Sequence, residues 1–160
     1  MKRYMKREFF NGALGFTVYE ETGQVLYRVK QEDEQRRQKL LIFDEKDRLL
    51  SEVMRKQFMM QYFTIRCQTG IYVLIPNIKE YFMFLIYGST YRFAGNMAEG
   101  RFSLFDVDKS PVMTQKKCWT TYGDGYELEL YVPEQEIFSL SVAVCAALYR
   151  SAAETAADGC

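Results

Sequence analysis

The stretch Leu140–Tyr149, LSVAVCAALY, decides the fold, with Ser141 its only polar residue. A helix that is apolar on every side has to be surrounded by protein or by lipid. Everything N-terminal of it reads as short strands, enough of them to wrap one helix. The sequence therefore predicts a mainly β (α+β) fold. Its form is a closed barrel of about twelve mostly antiparallel strands around a central hydrophobic C-terminal helix.

The helix should begin near Pro133. Proline suits the first helical position, and Glu134 and Glu136 suit the positive end of the dipole. On a wheel, Ile137, Leu140, Val144 and Leu148 share one face, and Phe138, Val142, Cys145 and Tyr149 another; these form the expected core. Ala143, Ala146 and Ala147 would let strands approach closely, and Ser139 and Ser141 can bond back to carbonyls one turn earlier. At roughly 1.5–3 kcal/mol for each large apolar side chain, gross burial is on the order of 10–20 kcal/mol. That rivals the net stability of a whole domain, so helix and barrel should depend on each other. The expected helix is 134–152. The small, polar residues 153–160 should fray outside the barrel.

A tail anchor over 137–157 is the competing account. Its apolar part, Ile137–Tyr149, is 13 residues long and holds two serines, whereas crossing a bilayer takes about 20. Extension to Ala157 brings in Arg150 and Glu154. The expectation is a helix that does not span a membrane.

Before the helix the chain reads as hairpins between about 3 and 132. Arg3–Phe9 opens the series. Gly15–Glu20 and Gln24–Lys30 flank Glu21-Thr22-Gly23, and Lys39–Phe43 and Arg48–Arg55 flank Asp44–Asp47. Phe63–Cys67 and Ile71–Ile75 flank a turn ending in Gly70, and Ile78–Ile86 and Thr90–Asn96 flank Tyr87-Gly88-Ser89. Arg101–Asp106 and Pro111–Lys117 flank Val107–Ser110, and Tyr126–Val132 comes last. Residues 31–38 (QEDEQRRQ) read as a long exposed loop. Leu41–Asp44 with Val53–Lys56 resembles Ser103–Asp106 with Val112–Lys117. Phe16–Tyr19 with Val25–Lys30 is a looser copy. Each is strand, acidic turn, strand, basic end.

The 160 residues suggest one domain, 1–160. Lys+Arg and Asp+Glu balance at 21 each, so no bulk charge draws the chain to nucleic acid. The N-terminal MKRYMKREFF lacks an apolar h-region, which predicts a cytoplasmic protein without a signal peptide. Cys67, Cys118, Cys145 and Cys160 are then free thiols, with Cys145 a small buried hydrophobe.

Catalytic chemistry is poorly represented. There is no histidine, the commonest general base. No GxSxG, P-loop or GxGxxG occurs, and no cysteine pair has metal-ligand spacing. Asp44, Glu45, Asp47, Asp106 and Asp108 could be read as a cation site or carboxylate pair, but acids at these positions ordinarily make turns. The expectation is no enzyme, no cofactor and no metal. Arg55-Lys56 and Lys116-Lys117, the basic ends of the repeated hairpins, are the candidate anion site. Trp119 and Tyr122 could add an interfacial anchor beside them.

The order of elements resembles the LURP-one-related family, relatives of the tubby C-terminal domain and of phospholipid scramblases. Tyr4-Met5-Lys6, the Phe16–Lys30 hairpin with its central Gly23, and Leu40–Lys56 carry the resemblance. So does Lys117–Leu148, with Trp119 and Tyr122-Gly123-Asp124-Gly125-Tyr126-Glu127-Leu128 ahead of the helix. It covers about residues 3–150. The individual motifs are weak, and their order and the terminal helix give the match its force. The resemblance implies a twelve-stranded barrel around a central C-terminal helix. Where the family's helix often carries an acid near its end, this chain has Ala146 and Ala147. The resemblance implies a scaffold more than a chemistry: tubby domains bind phosphoinositide headgroups through basic residues, and LURP-one-related proteins have no well-defined activity. Fold does not fix function. The expected function is a non-enzymatic binding or scaffold domain, its candidate partners an anionic lipid headgroup or a protein. The alternatives are a tail-anchored membrane protein and a purely structural interaction protein.

Overall fold

A computed structural model describes residues 1–10, 13–32, 39–77, 84–97, 99–120 and 123–158. Side chains are described for all of these except 9, 10, 13, 58, 119, 120, 123, 124 and 150–158. The strands are β1 (Lys2–Phe10), β2 (Ala13–Tyr19), β3 (Val25–Gln31), β4 (Lys39–Asp44), β5 (Leu49–Phe58) and β6 (Met60–Cys67). They continue as β7 (Gly70–Pro76), β8 (Phe84–Tyr87), β9 (Arg92–Asn96), β10 (Arg101–Phe105), β11 (Pro111–Thr120) and β12 (Gly123–Leu130). A short 3₁₀ turn, Pro133–Gln135, leads into the helix α1 (Glu136–Asp158).

The strands form one sheet in the order β8-β7-β6-β5-β4-β3-β2-β1-β12-β11-β10-β9. Every pairing is antiparallel. The sheet curls into a nearly closed barrel, because β1 and β12, far apart in sequence, zip together from Lys2↔Glu129 to Lys6↔Gly125. Strand alternation sets the inner face: Phe16, Val18, Val29, Leu40, Ile42, Val53, Phe63, Ile65, Leu74, Leu104 and Leu128 are buried in one core with the helix residues.

Alpha-helix α1 fills the interior. Phe138 through Leu148 are all buried, and the partly buried Ile137 and Tyr149 pack against the same core. Burial on every face is what the apolar run requires, and it removes the tail-anchor reading. Among the described residues no helix is long and apolar enough to cross a membrane. The helix departs from expectation at both ends. Residues 133–135 are 3₁₀, because a proline-initiated first turn tightens readily and Val132 offers no capping side chain. The helix then runs to Asp158 instead of ending at 152. Ala152, Ala153, Ala156 and Ala157 have the highest helix propensity of any residue type, which favours continuing the helix.

The three hairpins that look alike in sequence share one turn. In each, the first turn residue takes a backbone bond from the residue three on and gives one to the carbonyl four on. The donors are Gly23 and Glu20, then Asp47 and Asp44, then Lys109 and Asp106, at 2.9–3.1 Å. The fourth residue is left-handed each time, at φ 89° for Gly23, 59° for Asp47 and 68° for Lys109. Each hairpin also slips register just before the turn, at Val18/Tyr19, Ile42/Phe43 and Leu104/Phe105. A type I turn closed by a left-handed residue produces this bulge.

One expected hairpin is not a hairpin. Phe84–Tyr87 and Arg92–Asn96 are consecutive, but no ladder joins them; β8 and β9 are the two edges of the sheet. The connection uses its polar groups elsewhere. Ser89 Oγ accepts from the Tyr91 N–H at 2.9 Å, and Thr90 Oγ1 donates to Asp106 Oδ1 at 2.8 Å, drawing the turn toward β10–β11. Gly88 sits at φ 97°, and a Cβ there would meet the Ile71 carbonyl at 2.6 Å, so the close pass over β7 needs glycine. On the inner side the gap is sealed by rings: Phe84 meets Phe93 edge-on at 5.5 Å and Tyr149 at 5.8 Å.

Candidate binding site

The four basic candidates do not come together. Beta-strands β5 and β11 are six places apart in the strand order, which in a ring of twelve is the opposite wall whichever way it is counted. From a strand spacing of about 4.8 Å and a tilt of about 40°, that separation is roughly 25 Å, with α1 between. Strand alternation divides each pair further. Arg55 and Lys117 continue the inward-facing rows Ser51-Val53 and Met113-Gln115 past the core, Arg55 half-buried and Lys117 exposed, whereas Lys56 and Lys116 lie on the outward-facing rows and are exposed. Lys116 Nζ lies 3.6 Å from Glu127, which also holds Lys2 at 3.2 Å. The two pairs do share one end of the barrel. Beta-strands β5 and β11 run the same way and finish opposite the end where α1 enters. Trp119 is in β11 with its side chain outside the described residues, as is the whole of Tyr122.

The acidic candidates serve the turns. Asp44 Oδ1 accepts the N–H groups of Lys46 and Arg48, both at 2.9 Å, and Oδ2 accepts Arg48 Nε at 2.7 Å. The Arg48 N–H, with the guanidinium and the Lys46 N–H behind it, holds the Asp44 carboxyl below the usual carboxylate range. Asp108 is lowered likewise by the Ser110 hydroxyl and N–H. Among the described residues no three metal-capable side chains gather. Burial pushes the Cys145 thiol up, away from reactivity.

Where α1 enters, Glu136 is clamped. Arg3 Nε donates to its Oε1 at 2.8 Å and Tyr27 OH to its Oε2 at 2.9 Å. Burial and the Glu136 charge push the Tyr27 phenol far up, so it stays a donor. Sequence reasoning saw Glu136 only as a dipole partner, because its two companions lie 133 and 109 residues away. Ser141 bonds back to the Ile137 carbonyl at 2.7 Å, but Ser139 Oγ is buried without a hydrogen-bond partner among the described residues. Helix position alone did not distinguish them.

A cleft of about 520 Å³ lies along the β8–β9 seam, lined by Phe84–Tyr87, Ser89–Phe93 and Val107. That is within the size range of ligand pockets. The sequence offered only a weak signal for it, a Gly88-Ser89-Thr90 connection where a tight hairpin favours Asn-Gly or Asp-Gly.

The LURP-one-related family model matches residues 1–149. The chain belongs to the LURP-one-related family. A second likeness agrees on the fold of this LURP-one-related domain. The X-ray structure of a protein from Arabidopsis thaliana matches with a TM-score of 0.66 at 14% identity, covering 93% of this chain and 92% of that one. No curated protein sequence matches.

Proposed function

We propose that this LURP-one-related domain is a non-catalytic binding module that engages a protein partner on the outside of its barrel. One observation carries the reading: the interior, where larger barrels hold a ligand, is occupied by the chain's own helix from Phe138 to Leu148. Support also comes from Asp44 and Asp108, which are committed to turns, and from Glu136, which is held in the Arg3–Glu136–Tyr27 clamp.

An anionic lipid surface is the second reading. It is favoured by Arg55-Lys56 and Lys116-Lys117 finishing at the same end of the barrel. A single headgroup cannot bridge opposite walls, but a flat bilayer pressed on that rim could meet both pairs, each basic residue contributing about 1 kcal/mol near the surface.

Two arms of one experiment separate the readings. The folded domain is panned against displayed random peptides, and it is floated with vesicles containing phosphatidylserine and phosphoinositides. The protein reading expects peptides that bind wild type and an Arg55/Lys56/Lys116/Lys117 alanine variant equally, with no flotation. Flotation of wild type but not of the variant, with no peptide enriched, would replace it by the lipid reading.

A further inference from the structure

Resting on the reading as a protein-binding module, we propose that the β8–β9 seam takes an extended peptide strand carrying an acidic side chain. The chemistry of the seam defines this occupant. The facing edges of β8 and β9 have no ladder partner among the described residues. Each edge therefore offers a row of backbone N–H and C=O groups, the template on which a strand adds to a sheet. Full barrel closure would have removed these edges, and here, among the described residues, rings on the inner side bridge the two strands where no ladder does.

Apolar side chains flank the edges outside. Leu85 is 46% exposed, Tyr87 55% and Val107 63%. Leu85 and Tyr87 are alternate residues of β8, spaced to meet alternate side chains of an added strand. Among the described residues lining the cleft, Arg92 alone is ionised. It is exposed, and it has no ion-pair partner among the described residues. An unpaired guanidinium at the rim of an apolar cleft selects a carboxylate and supplies specificity more than affinity.

The probe is an acetylated, amidated heptapeptide of alternating threonine and valine with a central glutamate, titrated by fluorescence anisotropy. Controls replace the glutamate by lysine or N-methylate alternate amides. Wild type should bind the glutamate peptide, prefer it over the lysine peptide by about fivefold or more, and lose the N-methylated one. Arg92→Glu should reverse the preference, and Tyr87→Glu, at an exposed position, should weaken binding with melting unchanged. Binding that survives N-methylation, or a preference unmoved by Arg92→Glu, overturns strand addition at the seam. So does no binding at millimolar peptide, or concentration-dependent pairing of the domain with itself through Tyr87. In each of these cases the panning arm described above still decides the broader reading independently.

Discussion

Glu136 joins the helix to the wall through two contacts from distant strands, Arg3 and Tyr27. Both members of the ion pair are mostly buried, with side-chain exposure of 14% and 11%. Removing one partner of such a pair strands the other charge. Glu136→Ala should therefore cost about 3 kcal/mol, on the order of 10 °C in melting temperature at this chain length. Glu136→Gln, which can still accept from Tyr27, should lose less. Asp44 gives a pH signature. Its folded carboxyl titrates below its unfolded value. The stabilisation is thus present above about pH 4 and lost as pH falls through the lower, folded value. Asp44→Asn should melt below wild type at pH 7, and the gap should narrow as the pH falls below the unfolded carboxylate value of about 4. A gap that persists unchanged in acid would show that the carboxylate charge is not what the turn uses.

At the scale of elements, α1 was legible because an apolar run with no polar face admits few homes, and residues 137–149 occupy the expected one. The twelve strands were legible because turns punctuate them. The β8–β9 edge was not, because pairing between neighbours is the default and its exception depends on where Thr90 and Asp106 meet in space. The scattered basic pairs show the converse problem: the repeat was visible, but its two copies face each other across the barrel. Two predictions belong here. Val144→Asp places an unpaired charge in the barrel and should abolish the cooperative thermal transition; wild-type melting would contradict the threaded helix. Inside, Ser51 Oγ meets Ser141 Oγ at 2.8 Å while Ser141 bonds Ile137. Ser141→Ala leaves Ser51 buried and unpaired and should cost more than Ser51→Ala. The double variant should be milder than the sum by about 1 kcal/mol in denaturant melts.

For the whole molecule, helix and wall form one cooperative unit, since the strands lose their inner core if the helix leaves. The domain is a shell wound around its last element, and that element cannot leave without unfolding the rest. Native-state hydrogen exchange tests this most directly. The amides of Phe138–Leu148 should exchange only through global unfolding, with the same denaturant dependence as the slowest amides of β4 and β5. Exchange of those helical amides through a low-energy opening, while the strands remain protected, would contradict the account.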